Sequence, residues 1–272
     1  MKKKEERMSQ IIAMLHEQDT IYVRDLASRL NVTEMTIRRD LEELRASGII
    51  QRFHGKARLT PNDPDCLYEN IENEYSLLSA STTMNIEKEL IARHAASLIE
   101  PGDVIILDNG STTDKMVPHI PIHKDLTVVC YNLNILTQLP HNGEMKLLFA
   151  GGYFHPSDQM FESPENLNFL RTIRANKLFL SASGVHSKLG MTCAHDFEVS
   201  VKQAVIQSSL TKILVADSSK FGALKTVCFA QLDDVDIVVT DSNLSEEWIN
   251  TINEMGIQLE IVDVPEVSGV PR

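Results

Sequence analysis

Asn31-Val32-Thr33-Glu34-Met35-Thr36-Ile37-Arg38-Arg39-Asp40-Leu41 is the stretch that decides how the first part of the chain folds. Asn31-Val32 makes a turn and Thr33 is placed as a helix N-cap. Ile37, Leu41 and Leu44 then form one apolar stripe before Gly48 stops the helix. With that stripe turned inward, about 100° per residue puts Met35 and Arg39 on the opposite face, flanked by Thr36 and Arg38. Upstream, Met8, Ile11, Ile12 and Leu15 recur at helical spacing, and Leu26 and Leu30 mark a second short helix after the extended Thr20 to Val23. Downstream, Ile49 to Phe53 reads as a strand, with His54-Gly55 as a tight turn into Ala57-Arg58-Leu59.

Three helices and a hairpin in this order describe a winged helix-turn-helix. Its second motif helix enters the major groove N-terminus first, so Thr33, Met35, Thr36, Arg38 and Arg39 stand where bases are read. Arginine suits guanine O6/N7, threonine donates or accepts, and methionine touches a thymine methyl. Arg52, Lys56 and Arg58 of the hairpin, with Lys2 to Lys4, are placed to hold phosphates, and His54 at the wing turn joins the DNA contacts. Double-stranded DNA is the expected partner.

The net charge of -12 argues against that partner until it is divided along the chain. Residues 1–60 hold 12 Lys+Arg against 9 Asp+Glu, a net +3, which leaves -15 for the remainder. Phosphate attraction is local, screened beyond roughly 8 Å at physiological salt, so the basic first part matters more than the total. A 272-residue chain, 43% hydrophobic and 24% charged, is long enough for two globular domains. No apolar run suggests an export signal or a membrane span, so the expectation is a cytoplasmic protein without a membrane partner. Cys66, Cys130, Cys193 and Cys228 are far apart and form no C-x-x-C pair, which excludes a zinc ribbon and gives no disulfide framework.

From Asn85 the pattern changes. A helix to about Ile99 is followed by short apolar runs at 104–107, 127–130, 146–149, 177–180, 213–216, 237–240 and 257–262, with helical segments at 163–173, 197–210 and 245–255 among them. Such alternation predicts a mostly parallel, doubly wound α/β sheet. The expected organisation is a DNA-binding domain over 1–59, a linker over 60–84 with one helical turn, an effector-sensing domain over 85–264 and a tail over 265–272.

Ligands of open α/β folds bind at the carboxyl ends of the strands. Asp108-Asn109-Gly110-Ser111-Thr112-Thr113 directly follows a buried strand, and its glycine and hydroxyls suit a phosphate cradle, or simply a capped strand-helix turn. Other strand ends supply Tyr131-Asn132, Gly151-Gly152, Ser181 to Gly184, Glu198 with Lys202, and Asp217 to Phe221 including Lys220. Lys220 can neutralise a phosphate or pair with Asp217; Glu198 can bind sugar hydroxyls or pair with Lys202 one turn later.

Asn31 to Leu41, followed by Gly48-Ile49-Ile50 and Arg52-Phe53-His54-Gly55, resembles the helix-turn-helix signature of DeoR-type repressors. Lys56 departs from it, standing where the family usually has a second glycine. The later segments resemble that family's effector domain, so the likeness runs over nearly the whole chain. It implies a fold related to ribose-5-phosphate isomerase, a phosphorylated sugar as effector, and effector roles for Asp108, Gly110, Ser111, Thr112, Asn132, Gly152, Glu198, Lys202 and Lys220; the residue reading adds Thr113. Within the family, Cys130 to Asn134, Gly151 to His155 and Ser181 to His186 make deoxyribose 5-phosphate the first effector to test. Ser181-Ala182-Ser183-Gly184 lacks the aspartate that many relatives and the isomerases carry there, which removes a partner for sugar hydroxyls or a general base.

The expected function is therefore a transcription regulator, a repressor whose operator binding responds to a phosphorylated sugar, and not an enzyme. A sugar-phosphate isomerase-like enzyme with a regulatory N-terminal domain is the alternative, resting on Glu198 and weakened by the missing aspartate. No cofactor and no metal are expected: His186, Cys193 and His195 match no zinc spacing and fall in a presumed loop, and Pro121 breaks the His119 and His123 pair. Reading two half-sites needs symmetry, so a homodimer or higher homo-oligomer is expected.

Overall fold

The computed structural model describes residues 7–8, 11, 14–15, 21–30, 32–46, 50–53, 56–59, 77–140 and 144–265. The chain divides into two compact units, Met1–Asn70 and Ile71–Arg272. His54, Gly48, Lys2 to Lys4, Cys66 and the tail from 266 lie outside the described residues, as do the side chains of Arg52, Lys56 and Arg58.

In the first unit, β1 (Ile21–Tyr22), β2 (Ile50–Phe53) and β3 (Lys56–Leu59) form an antiparallel sheet in the order β1-β3-β2. The helices Val23–Arg29 and Glu34–Ala46 are joined by a short turn in which the Val32 N–H donates to the Ala27 carbonyl at 3.0 Å. Thr33 Oγ1 accepts from the Thr36 N–H at 3.3 Å, the capping contact its sequence position requires. Ile37, Leu41 and Leu44 are buried against Ile11, Leu15, Ile21, Val23 and Leu26, so the stripe read from sequence forms the core of the unit. Asp40 is also buried, and Arg7 grips both of its carboxylate oxygens, Nε at 2.5 Å and Nη2 at 3.0 Å.

In chain order the second unit contains β4 (Val104–Leu107), β5 (Thr127–Cys130), β6 (Lys146–Phe149), β7 (Tyr153–His155), β8 (Met160–Glu162), β9 (Ala175–Leu180), β10 (Gly184–His186), β11 (Gly190–Cys193), β12 (Ser209–Val215), β13 (Val227–Ala230), β14 (Ile237–Asp241) and β15 (Gln258–Val262). Seven of them form an all-parallel sheet in the order β15-β14-β12-β9-β4-β5-β6. Alternate residues face opposite ways, as the pleat dictates. Ile106, Val129, Leu178, Leu180, Leu214 and Val238 build one apolar layer with the helices Pro164–Thr172, Phe197–Gln207 and Glu246–Glu254. Ile105, Leu107, Val128, Phe179, Ile213 and Val239 build the other with the helix Asn85–Ser97. The sheet is doubly wound.

The chain runs outward from β4 to β6 on one side and from β9 to β15 on the other. The order reverses between β4 and β9, and a ligand crevice of an open α/β sheet opens at such a switch point.

Two features differ from expectation. The helix beginning at Phe197 ends at Gln207 and not near 210, because Ser209 already pairs with Ala175 as the start of β12. The segment read as a loop around His186 and Cys193 is the antiparallel hairpin of β10 and β11, extended by β13. These strands are three and four residues long, too short for their alternation to stand out. The helix Leu77–Thr82 belongs to the second unit, where the Leu77 N–H donates to the Ser157 carbonyl at 2.8 Å.

Candidate functional site

On the helix Glu34–Ala46 burial follows the stripe and leaves the opposite face to solvent. Thr33, Met35, Arg38 and Arg39 are exposed, Met35 at 68% of its surface, and Thr36 is half-buried. The two arginines are not equivalent. Arg38 Nη2 lies 3.1 Å from Glu34 Oε2, an i,i+4 pair, whereas Arg39 has no ion-pair partner among the described residues. Arg39 and Met35, one turn apart, present one continuous edge.

In the second unit the ends of β4, β9 and β12 surround a cavity of about 300 Å3 at the switch point. Its wall includes Asn109, Gly110, Ser111 and Thr112 after β4, Ser181 to Ser183 after β9, Lys220 after β12, and also Glu198 and Lys225. Of the residues singled out in the sequence, Gly110, Ser111, Thr112, Glu198 and Lys220 meet on this wall. Asp108, Thr113, Asn132, Gly152 and Lys202 are not on it. Asn109 and Lys225 were not singled out individually; Lys225 sits in a loop with no motif around it.

Asp108 is fully buried and acts as the hub behind the wall. Its Oδ2 accepts from Lys202 Nζ at 2.6 Å and from the Ser181 N–H at 2.8 Å, and Tyr131 Oη donates to its Oδ1. Lys202 Nζ also donates to the Ser181 carbonyl at 3.2 Å and lies 3.8 Å from Glu198 Oε2. Desolvation pulls the Lys202 ammonium down, but Asp108 and Glu198 outweigh it and hold the ammonium above its ordinary range. For Glu198 desolvation dominates and pushes the carboxyl up despite Lys202. Asn109 Nδ2 donates to Glu198 Oε2 at 3.4 Å, while Asn109 Oδ1 is buried without a hydrogen-bond partner among the described residues.

Gly110 is required by this packing. A Cβ there would fall 2.4 Å from Ser181 Oγ and 2.6 Å from Ser181 Cβ, so a side chain would force the β4 and β9 loops apart. Thr113 Oγ1 donates to the Gly110 carbonyl at 2.8 Å and so serves its own turn. Gly152 has a positive φ of 152° and a Cβ there would meet the Glu162 carbonyl oxygen at 2.7 Å, which makes it a packing glycine of the β8 region. Asn132 is buried, and neither of its side-chain polar atoms has a hydrogen-bond partner among the described residues.

The cavity lining also carries positive charge. Lys220 and Lys225 line it, and Asp217 lies between Lys220 Nζ at 3.7 Å and Lys88 Nζ at 3.8 Å. Lys88 is fully buried, donates to the Ala80 carbonyl at 2.6 Å, and reads in sequence as one more polar residue of an amphipathic helix. Desolvation lowers its ammonium to about 8, against the pull of Asp217. The unfolded chain therefore binds the extra proton between pH 8 and 10.5, and stability rises with pH across that window. Urea unfolding of wild type and Lys88→Met should show the difference in unfolding free energy shifting by on the order of 1–2 kcal/mol in favour of wild type over this range. A difference independent of pH would mean that Lys88 titrates normally.

Among the described residues His186, Cys193 and His195 do not gather their potential ligand atoms in one cluster. His186 Nδ1 accepts from the Lys188 and Leu189 N–H groups, and Cys193 Sγ donates to the His195 and Val227 carbonyls, with burial raising its thiol to about 12.

Comparison with known proteins covers both units. Residues 7–62 match the DeoR-like helix-turn-helix domain, and residues 84–242 match the DeoR C terminal sensor domain. The deoxyribose operon repressor of Escherichia coli (strain K12) is 31% identical over 257 residues, 94% of this chain and 98% of that protein. The lactose phosphotransferase system repressor of Staphylococcus epidermidis (strain ATCC 12228) is 30% identical over 245 residues, 88% and 93% of the two chains. Among solved structures, a D-ribose-5-phosphate isomerase in complex with phospho-erythronic acid gives a TM-score of 0.34 at 16% identity over 49% of this chain and 52% of that one. The eIF2B delta chain of Chaetomium thermophilum gives 0.42 at 16% identity over 57% and 55%. Among the described residues no helix is long and apolar enough to cross a membrane. With domain models matching both units and relatives aligned along almost its full length, the chain belongs to the DeoR family of helix-turn-helix transcriptional regulators.

Proposed function

We propose that this regulator senses a phosphorylated sugar in the switch-point cavity and thereby changes its hold on an operator. The observation that carries the reading is that two lysines, a carboxylate and several hydroxyls line one cavity at the strand ends. Lys220 and Lys225 suit a phosphate, which the hydroxyls of Ser111 and Thr112 and the loop backbone complement. Glu198 and Asn109 on the same lining offer a carboxylate and an amide to sugar hydroxyls. Asp108 and Lys202 act through Ser181 and Glu198, holding those groups in place. Deoxyribose 5-phosphate is the first ligand to try, since the 31%-identical relative is named for the deoxyribose operon.

Operator reading falls to the exposed edge of the helix Glu34–Ala46, with Arg39 at a base and Arg38, restrained by Glu34, nearer the backbone. Arg52, His54, Lys56 and Arg58 of the wing serve as phosphate or backbone contacts, and a homodimer or higher homo-oligomer supplies the second half-site. Arg39→Ala should cost about 1–3 kcal/mol on the selected operator and little on unrelated DNA, measured by fluorescence anisotropy at fixed salt. Equal loss on both would reassign Arg39 to the backbone.

A thermal-shift screen of phosphorylated and unphosphorylated sugars tests the sensing half. A ligand present at 100 times its dissociation constant adds about 2.7 kcal/mol, an easily read rise in melting temperature. The account expects stabilisation by a phosphorylated pentose, none by its free sugar, and loss of the effect in Lys220→Ala. Stabilisation by the free sugar alone would overturn the phosphate assignment.

A further inference from the structure

The turn of the β7 and β8 hairpin, the residue just before the N-cap of the helix Phe197–Gln207 and that helix's first turn bring together Asp158, His195 and Glu198, whose candidate ligand atoms all lie within 4.8 Å of one another. His195 Nδ1 is 2.9 Å from Asp158 Oδ2 and 4.0 Å from Glu198 Oε1. Asp158 is fully buried. Ser157 Oγ donates to its Oδ2 at 2.6 Å, but its Oδ1 has no hydrogen-bond partner among the described residues. A desolvated carboxylate oxygen without a donor is costly, and such atoms in native proteins are normally met by protein, water or an ion.

The charge balance points the same way. Asp108, Asp158 and Glu198 are three buried carboxylates, and among the described residues the buried Lys202 forms ion pairs with Asp108 and Glu198 but none with Asp158. The imidazole is held by stacking: His195 lies nearly parallel to Phe197 with ring centroids 4.9 Å apart, and Phe197 stacks in turn on His155 at 3.7 Å.

We propose that Asp158, His195 and Glu198 form a site for one divalent transition-metal ion. Zinc is the best match to a single imidazole nitrogen with two carboxylate oxygens and an open fourth position. Bonds of about 2.0–2.2 Å in a tetrahedron place ligand atoms roughly 3.3–3.5 Å apart. The His195–Asp158 pair has to open slightly and the His195–Glu198 pair to close slightly, both within side-chain adjustment.

Glu198 links this site to the sensing cavity. One of its oxygens, Oε1, faces His195, whose backbone N–H donates to it at 3.1 Å, and the other faces Asn109 and Lys202. A bound ion therefore fixes the carboxylate on the cavity wall. The sequence hid the site because Asp158 comes from a distant hairpin, and His-x-x-Glu alone is not a zinc motif.

The test uses the full-length protein stripped with EDTA and titrated with zinc, then with cobalt(II) as a spectroscopic stand-in. One equivalent per chain should bind, and the cobalt form should show a tetrahedral visible band without the sulfur-to-metal charge-transfer band that any of the four cysteines would add. His195→Asn and Asp158→Asn should each weaken binding about tenfold or more, and His186→Asn should not. His195 is only partly buried, so His195→Asn keeps the test decisive if Asp158→Asn fails to fold. No uptake by the wild type, a thiolate band, or uptake unchanged in His195→Asn overturns the proposal.

Discussion

Replacing Lys202 with methionine should destabilise the sensor unit by about 3–5 kcal/mol at neutral pH, the cost of removing one partner from a buried ion pair. Asp108 would keep the Ser181 and Tyr131 donors but lose its countercharge at 2.6 Å, and Glu198 would lose its nearest cation. Adding Asp108→Asn to Lys202→Met should recover much of the loss, because the stranded charge is then absent. Urea unfolding of the full chain, followed by probes in each unit, checks this, since two units need not unfold in one transition. A loss below about 1 kcal/mol would contradict the hub role of Asp108 and Lys202.

Leu41→Ala should cost about 2–5 kcal/mol in the DNA-binding unit. Leu41 has no exposed surface and packs with Ile11, Leu26, Ile37 and Leu44 in a small core. Removing it leaves a cavity where few neighbouring groups can close in. Operator binding should fall with the folded fraction, while the sensor unit keeps its ligand-induced thermal shift. Normal stability of the variant would mean that the stripe is not the core.

Much of this was legible in the sequence because it rests on periodicity. Ile37, Leu41 and Leu44 repeat as a helix must, and the apolar runs of the inner strands β4, β5, β9, β12 and β14 are largely buried on both faces of a parallel sheet, so they needed no alternation to be seen. The loops at strand ends were legible by the same rule, which is why Gly110, Ser111, Thr112, Glu198 and Lys220 converge. What stayed hidden depends on long-range packing. The strands of the β10, β11 and β13 sheet are too short to carry a pattern, and Lys225 reaches the wall from an unmarked loop. Lys88 and Asp158 owe their character to burial. Asp108, Lys202, Thr113 and Gly152 sit behind or away from the wall, since a motif residue can serve the scaffold of a cavity without facing into it.

A ligand held by the lysines of the cavity is expected to control DNA reading by the helix that carries Arg39. The decisive measurement is the affinity of the full-length protein for a duplex selected from a randomised pool, by anisotropy at constant salt with and without a phosphorylated pentose. Adding the sugar phosphate should change the affinity several-fold, and Lys220→Ala should abolish that change while still binding the duplex. An affinity indifferent to every phosphorylated sugar, or a response that survives Lys220→Ala intact, would contradict it.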